Sequence, residues 1–426
     1  MKDVYINGVI LDGTENMVPV YGKAIVVENR KIAEIKDADG SYGECRVIDL
    51  KEKYVIPGLI NMHAHLAGTG KPPKKRMNLT GIKKLLGLCS LTHAVGKNIV
   101  AKNALTALMS GTTTVRGAGN LYNYDTAVRD DIASGKRKGP RILAADTAIS
   151  VPGGHMAGSF AYEAKSAEEC VKLVDEIAKA HPEWIKLMIT GGVMDAEVVG
   201  EPGVLRMPAE YVKAACDRAH ELGLPVAAHC ESPEGVKVAL RNGVNTIEHG
   251  AKPDDEMIRL FKETGACDIC TISPAIPYCR LPMEVTHFTK DDLLNSEVVF
   301  NGVVDCAKAC LANGITVGLG TDSACSFSTQ YGMWRELYYF VKYCGVTNSF
   351  ALHTATEINA RIAHIDDITG TIAEGKYADM VIVQGNPLDD LTVLRNIDGV
   401  VFEGTYYDHP EFERIEEVEV QLDTLL

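Results

Sequence analysis

The chain has 426 residues, and 46% of them are hydrophobic, which is ordinary for a globular protein. It carries 43 Lys and Arg against 57 Asp and Glu, and this net charge of −14 argues against a nucleic-acid partner and an anionic membrane surface. No stretch approaches the ~18 apolar residues of a membrane helix, and residues 1–5 do not begin a signal peptide. We therefore expect a cytoplasmic enzyme whose 12 cysteines are free thiols.

Both ends of the chain are rich in short predicted strands. These strands lie at residues 4–11, 24–28, 31–35, 378–383 and 400–404. The two ends together predict one small β-sandwich domain, formed by residues 1–56 and 366–426.

Between these ends, predicted strands and helices alternate, and helices end at glycines such as Gly223 and Gly243. The eight predicted strands are residues 54–60, 112–116, 141–145, 184–189, 224–228, 244–248, 266–271 and 315–320. Eight βα units with short turns predict a (β/α)8 barrel of the TIM type over residues 57–365.

Four histidines and one aspartate lie at the ends of predicted barrel strands. His63 and His65 are two residues apart, so on a strand both imidazoles point to the same side. His229, His249 and Asp322 each end a different strand. Because the active site of such a barrel lies at the carboxyl ends of its strands, this pattern predicts a metal site. A single histidine at a strand end is more often a solvated residue; the coincidence of five such residues carries the prediction.

Lys186 is the unusual member of an otherwise apolar predicted strand. A buried, unpaired ammonium is costly, so such a lysine tends to lose its charge. A neutral amine can react with carbon dioxide to give a carbamate, which can bridge two metals. The alternative is a salt-bridged lysine at the barrel rim.

These residues resemble the amidohydrolase superfamily, in its two-metal subtype with a carboxylated lysine. The resemblance spans nearly the whole chain and rests on Pro57-Gly58-Leu59-Ile60-Asn61-Met62-His63-Ala64-His65, Lys186, His229, Glu248-His249-Gly250, Thr321-Asp322 and residues 370–379. Residues 111–116, 186–192 and 246–250 are similar to the Xaa-Pro dipeptidase and Xaa-Arg/Lys carboxypeptidase-like group.

Two positions depart from the pattern of that group. The group usually carries Asp after the arginine of the second strand, where this chain has Gly117. Many members place a Tyr just after the histidine of the fifth strand to hold the substrate carboxylate, and here Cys230-Glu231 follows His229.

The resemblance implies one metal held by His63, His65, the Lys186 carbamate and Asp322, and a second held by the carbamate, His229 and His249. Zn²⁺ suits these ligands, while Mn²⁺, Fe²⁺ and Co²⁺ stay open. A bridging hydroxide would attack the scissile carbonyl, and Asp322 would be the catalytic residue that passes the proton to the leaving nitrogen. The implied reaction is hydrolysis of an amide or peptide C–N bond, as in a dipeptide or an N-acyl amino acid.

Substrate contacts are predicted less directly. His155, in a glycine-rich loop, could bind a substrate carbonyl, and Arg116 could hold a carboxylate or form a rim salt bridge. The basic loop 70–76 could be a lid for an anionic substrate or a solvated surface. Cys230 and Cys325 are expected near the site as spectator thiols.

Cys267 and Cys270 have the C-x-x-C spacing of redox and zinc motifs. On a predicted strand, however, residues three apart face opposite ways, which favours two structural thiols.

Other functions stay open at this stage. The same metal site could hydrolyse a cyclic amide or deaminate a heterocycle, although Lys186 argues against a single-metal deaminase. A non-catalytic scaffold is disfavoured because the ligand set is complete. We expect a small-molecule substrate as the binding partner. The resemblance also allows the protein to form a homo-oligomer.

Overall fold

The structure is a computed structural model that describes residues 2–73 and 78–426. Its strands, in chain order, are β1 (Asp3–Ile6), β2 (Val9–Ile10), β3 (Lys23–Glu28), β4 (Lys31–Asp37), β5 (Arg46–Asp49), β6 (Tyr54–Pro57), β7 (Leu59–Ala64), β8 (Thr112–Gly117), β9 (Arg141–Leu143), β10 (Ala148–Ser150), β11 (Ala161–Glu163), β12 (Ile185–Met188), β13 (Val226–Cys230), β14 (Thr246–His249), β15 (Cys267–Cys270), β16 (Val317–Leu319), β17 (Met380–Val383), β18 (Ile397–Phe402) and β19 (Thr405–Asp408).

The α-helices are α1 (Leu79–Leu86), α2 (Ser90–Met109), α3 (Tyr124–Ala133), α4 (Ala167–Ala178), α5 (Ala209–Glu221), α6 (Pro233–Arg241), α7 (Asp255–Thr264), α8 (Ile276–Arg280), α9 (Met283–Thr286), α10 (Lys290–Ala312), α11 (Met333–Tyr339), α12 (Asn348–His353), α13 (Asn359–Ile362) and α14 (Glu416–Asp423). Short 3-10 helices span Val193–Asp195 and Leu391–Arg395, and π-helical turns span Phe340–Cys344 and Thr354–Ile358.

Parallel strands with intervening helices form the predicted barrel. One parallel sheet has the order β7-β8-β9, and a second has the order β11-β10-β12-β13-β14-β15-β16. The third barrel strand is split, because β9 pairs with β8 whereas β10 pairs with β12. The interruption covers residues 144–147, so it begins inside the predicted strand 141–145. The fold class predicted from the sequence is confirmed.

The first and last barrel strands meet through polar contacts next to the two histidines. The amide of Asp322 donates to the carbonyl of His63 at 2.8 Å, and Ala64 forms a parallel bridge with Ser323. Asn61 donates to the Thr321 hydroxyl at 2.7 Å. Barrel closure therefore brings Asp322 to the end of β7, although more than 250 residues separate them along the chain.

The predicted strand at residues 54–60 is wrong in one respect, because it is two strands that belong to different sheets. Tyr54–Pro57 pairs with β17 and β2, whereas the barrel strand runs from Leu59 to Ala64. The chain changes sheets at Gly58, whose amide donates to Asp379 at 2.9 Å. The barrel strand therefore begins later and carries His63 at its end.

The chain ends build two further sheets. One has the order β4-β3-β1-β5, and the other, of order β19-β18-β17-β6-β2, takes strands from both ends. Tyr5 and Ile25 of the first sheet share a buried apolar cluster with Val55 and Met380 of the second. This arrangement is a β-sandwich, and the boundaries 1–56, 57–365 and 366–426 stay a prediction.

Local sequence signals set where two of the barrel helices begin and end. Ser232 caps α6 by accepting from the amide of Gly235, and Pro233 occupies the first turn. Asp254 caps α7, which ends at Gly265 in the left-handed conformation. Within residues 2–73 and 78–426, none of the helices combines the length and the apolar character needed to span a bilayer.

Gly320 provides a test of barrel closure. A Cβ there would lie 2.6 Å from the His63 amide nitrogen, so Gly320→Ala should force β7 and β16 apart. We expect a loss of unfolding free energy of about 3 kcal/mol, measured from urea and thermal transitions.

The matched control is Gly40→Ala, where no neighbour lies within 4 Å and φ is +77°. This variant should lose only about 1 kcal/mol, the cost of the left-handed conformation. Equal losses in the two variants would contradict the proposed contact.

Candidate metal centre

The six predicted metal-ligating residues lie at the carboxyl ends of the barrel strands or one turn below them. His63, His229 and His249 are on β7, β13 and β14. His65 follows β7 directly, and Asp322 follows Gly320 and Thr321 after the end of β16. Five of the six are almost fully buried: His63, Lys186, His229, His249 and Asp322, at 1 to 8% exposure. The structure thus brings together side chains that are far apart in sequence.

His63 and His65 converge on Asp322 as their spacing predicts. The Nε2 atoms of His63 and His65 lie 3.4 and 3.2 Å from the same carboxylate oxygen, Oδ1 of Asp322. The opposite ring nitrogens bind elsewhere: Nδ1 of His63 to Glu248 at 2.6 Å, and Nδ1 of His65 to the Gly119 carbonyl at 2.7 Å. These outer contacts fix both rings with Nε2 towards Asp322.

His229 and His249 form the other side of the cluster. Their ring centroids lie 4.7 Å apart, and His249 lies 4.8 Å from His63. Nδ1 of His249 pairs with the Thr271 hydroxyl at 2.7 Å, and Nε2 of His229 pairs with the Gly191 carbonyl at 3.0 Å. Each imidazole therefore keeps one nitrogen for a ligand in the centre.

Unusual backbone conformations orient two of these side chains. His249 has φ +74° and Asp322 has φ +47°, a region that residues other than glycine seldom adopt. On a regular strand, His249 and its neighbour Glu248 would face opposite ways, yet both contact His63. The conformational cost, of order 1–2 kcal/mol per residue, is typical of functional sites.

The donor set fits divalent cations. Nitrogen and oxygen atoms of His63, His249 and Asp322 all lie within 4.8 Å of one another, and so do those of His229, Glu231 and His249. Burial and neighbouring histidines lower the pKa of both His229 and His249, which keeps them neutral, the form that binds metal. Burial acts to raise the pKa of Asp322, but His63 and His65 hold it well below its usual range.

Lys186 lies beneath this cluster without a partner. Met188 pairs with His229 across β12 and β13, and Lys186 is two residues before Met188. The Cα of Lys186 therefore lies about 7 Å deeper in the barrel than that of Met188. Its amine is buried and makes no hydrogen bond among the described residues. Burial lowers the pKa of Lys186 to about 8. A ligand bound beside Lys186 would therefore supply the hydrogen-bond or metal partner that this amine lacks.

Arg116 does not reach the open end of the barrel. It is 1% exposed, and its guanidinium pairs with both Glu248 oxygens at 2.6 Å and donates to the Thr246 hydroxyl and the Met62 carbonyl. It also lies over the Trp184 ring at 4.6 Å. The charge that was predicted to hold a substrate carboxylate is thus paired with Glu248 inside the barrel. Arg116 instead positions Glu248.

His155 lies at the edge of the cluster. Its ring stacks on His229 with centroids 4.3 Å apart and planes 1° from parallel. Its Nδ1 pairs with Asp195, a carboxylate that the sequence analysis did not identify. Burial acts to raise the pKa of Asp195, but its hydrogen bond with His155 and the charge of that ring lower it overall.

Glu231 is a second residue that sequence analysis did not identify as functional. Its Oε2 is buried without a hydrogen-bond partner in the described part of the chain. Burial, with the charges of Asp322 and Asp195, raises the pKa of Glu231 to about 8. Its position directly after β13, two residues beyond His229, was the available signal.

At Gly117, where the dipeptidase-like group usually has an aspartate, another carboxylate lies nearby. A Cβ at Gly117 would collide with Oδ2 of Asp125, so a carboxylate from α3 fills the space beside this position. Asp125 accepts from Asn120 at 2.5 Å. Burial and the neighbouring Asp146 raise the pKa of Asp125 to about 7.

The remaining candidates are four cysteines and the basic loop. Cys230 is fully buried, and burial raises its pKa above the usual range. The Cys325 thiol lies 3.4 Å from Asp322, while Cys267 and Cys270 are free thiols on β15. In the basic loop, Lys71 pairs with Glu417 at 2.6 Å, and Lys74, Lys75 and Arg76 lie outside the described residues.

Comparisons with known proteins agree with this geometry. The sequence model of the amidohydrolase family matches residues 54–406. A crystal structure provisionally described as a prolidase from Bifidobacterium longum is 33% identical, with a TM-score of 0.87 over 99% of this chain and 98% of that chain. A Xaa-Pro dipeptidase crystallised with methionine in its active site is 27% identical, with a TM-score of 0.81 over 96% and 100%. Ochratoxinase from Aspergillus niger is 24% identical over 88% of this chain and 80% of its own length.

The ion pair inside the barrel provides a test of how the histidines are oriented. Glu248→Gln would leave the Arg116 charge without its buried partner and would change the acceptor for Nδ1 of His63. We expect metal affinity to fall 10- to 100-fold and stability to fall by about 3–5 kcal/mol. Isothermal titration with Zn²⁺ and thermal unfolding measure the two effects.

Glu256→Gln is the control, because that carboxylate pairs with Arg241 on the surface at 2.6 Å. It should leave metal affinity unchanged and alter stability by less than about 1 kcal/mol. Unchanged metal binding in Glu248→Gln would show that the ion pair does not set the ligand geometry.

Proposed function

This chain belongs to the amidohydrolase family and is an enzyme that acts on C–N bonds, and we propose that it hydrolyses a dipeptide or an N-acyl amino acid. The observation that carries the proposal is the unpartnered amine of Lys186, buried beneath four imidazoles and the Asp322 carboxylate. The ring nitrogens of the imidazoles are suited to bind metal ions, and the Lys186 amine is suited to become an anionic carbamate ligand. A substrate amide at the same opening would lie directly above them.

The proposed ligands divide into two sets. His63, His65, Asp322 and a carbamate of Lys186 would hold one metal ion. That carbamate, His229 and His249 would hold the other. Zn²⁺ suits these nitrogen and oxygen donors, and when bound, such a pair activates water near neutral pH and polarises a carbonyl.

Residues of the chain carry the remaining steps. Asp322 is an ionised carboxylate that can accept a proton from the attacking water and return it to the leaving nitrogen. His155, whose Nδ1 pairs with Asp195, can donate from Nε2 to the substrate carbonyl. The stack of His155 on His229 places this donor beside the ligand cluster.

Likeness to prolidase-type structures and the charges around the site support the proposed substrate class. Arg116 is neutralised inside the barrel, so a substrate carboxylate needs another cation. Arg206 is a candidate, because its Nε is buried without an acceptor among the described residues and its ion pair is with the exposed Glu197, at 2.9 Å. It lies close to Gly191, whose carbonyl contacts His229.

The second candidate is hydrolysis of a cyclic amide. An imidazolonepropionase from Picrophilus torridus is 22% identical over 88% of this chain and 89% of its own length. Hydrolysis of a cyclic ureide, with no turnover of dipeptides or N-acyl amino acids, would favour this candidate.

The metal and carbamate proposal predicts a stoichiometry. Protein reconstituted with Zn²⁺ and ¹³C-bicarbonate should bind two metal equivalents and give a carbamate carbon signal by NMR. Lys186→Met should lose the signal and at least one equivalent, because the bridging ligand is removed.

The control is Lys213→Met, an exposed lysine on α5 that pairs with Asp217. It should retain both metals and the carbamate signal. A Lys186→Met protein that still binds two equivalents would contradict the proposed bridge.

The substrate proposal predicts turnover of small amides that carry a carboxylate. The metal-loaded enzyme should cleave dipeptides and N-acyl amino acids from a panel, and Asp322→Asn should lower kcat by about 100-fold or more, the scale of a general acid–base group. Product release is followed by amine detection. A metal-replete protein inactive on the whole panel would contradict the proposal.

A further inference from the structure

Glu231 borders the reaction site, and nothing in the described chain satisfies it. Its Oε2 is buried and makes no hydrogen bond with the described residues. One carboxylate oxygen lies within 4.8 Å of ring nitrogens of both His229 and His249. Burying a carboxylate without a donor is costly, so a donor from outside the chain is the expected partner.

Gly192 keeps a small space open in front of this carboxylate. A Cβ added at Gly192 would lie 3.4 Å from Oε2 of Glu231 and 3.1 Å from the ring of His155. The carboxylate and the His155 ring therefore border the same space. The Gly192 amide does not satisfy Glu231, because it donates to Asp195 at 3.3 Å.

Glu231 is the carboxylate of this region that is left for a donor from outside the chain. Asp195 pairs with His155, and Asp322 faces His63 and His65. A carboxylate binds a charged donor more strongly than a neutral one, and a protonated amine placed beside it favours its ionised form. In a peptide substrate, that donor is the free α-amine.

A metal ion is a poorer partner for Glu231 than a substrate group. In the proposed site, the second metal already has His229, His249 and the carbamate from the chain. These three and a water molecule would supply the four ligands that Zn²⁺ commonly takes in catalytic sites. Glu231 therefore stays available for the substrate.

We propose that Glu231 binds a protonated amino group on the acyl side of the scissile bond. This inference rests on the proposed function and narrows its substrate class to small amides with a free α-amine, such as dipeptides, over N-acylated ones. An α-amine is two bonds from the scissile carbonyl carbon, which fits a carboxylate close to the ligands of the second metal. Glu231 is thus a specificity-determining residue.

The test compares a dipeptide, methionyl-proline, with its N-acetyl form. Wild-type enzyme should show a kcat/KM at least tenfold higher for the free amine. Glu231→Gln, which keeps the shape and removes the charge, should reduce this preference to less than threefold. Metal content, measured by mass spectrometry, should stay unchanged.

Two further variants separate specificity from folding. Glu231→Asp retains the charge one methylene further back and should give an intermediate preference. Glu234→Gln, an exposed neighbour on α6, should behave as wild type. Unchanged preference in Glu231→Gln would overturn the inference, as would loss of a metal equivalent, which would make Glu231 a metal ligand.

A binding measurement keeps the inference testable if the enzyme cleaves neither compound. Calorimetry with metal-loaded protein compares methioninamide with N-acetylmethioninamide. Tighter binding of the free amine, lost in Glu231→Gln, would support Glu231 as the amine site even if the proposed hydrolysis of dipeptides fails. Equal affinities for the two amides would overturn it.

Discussion

Arg116 and Glu248 form an ion pair that the barrel encloses completely, and the orientation of His63, a proposed metal ligand, depends on it. Glu248 takes two contacts of 2.6 Å from the guanidinium and a third from Nδ1 of His63. Burial acts to raise the pKa of Glu248, but Arg116 and the hydrogen bond from His63 hold it well below its usual range. A permanently ionised carboxylate therefore fixes the His63 tautomer, with Nε2 towards Asp322.

The polar groups left unpaired in the described part of the chain explain why the centre needs ligands. The amine of Lys186, Oδ1 of Asp322 and Oε2 of Glu231 are all buried without a hydrogen bond there. Each such group costs roughly 1–3 kcal/mol if nothing satisfies it. Two metal ions, a carbamate and a substrate amine would satisfy all three. The packing of the barrel offsets this cost and holds the three groups in place for binding.

The sequence predicts the barrel and the convergence of its strand ends because both follow from simple periodicities. His63 and His65 share a face by their spacing, and Asp322 follows a strand that closes the barrel. The role of Arg116 could not be predicted, because its buried partner, Glu248, is 132 residues away along the chain. Asp195 and Glu231 lie in connections whose path depends on tertiary contacts.

Crystallography of the Zn²⁺-loaded protein, with anomalous data at the zinc edge, tests the central claim most directly. The account predicts two anomalous peaks, one among His63, His65 and Asp322 and one between His229 and His249. It also predicts density that extends the Lys186 side chain into a bridging carbamate. A single peak with a free Lys186 amine, or no peak at these residues, would contradict it.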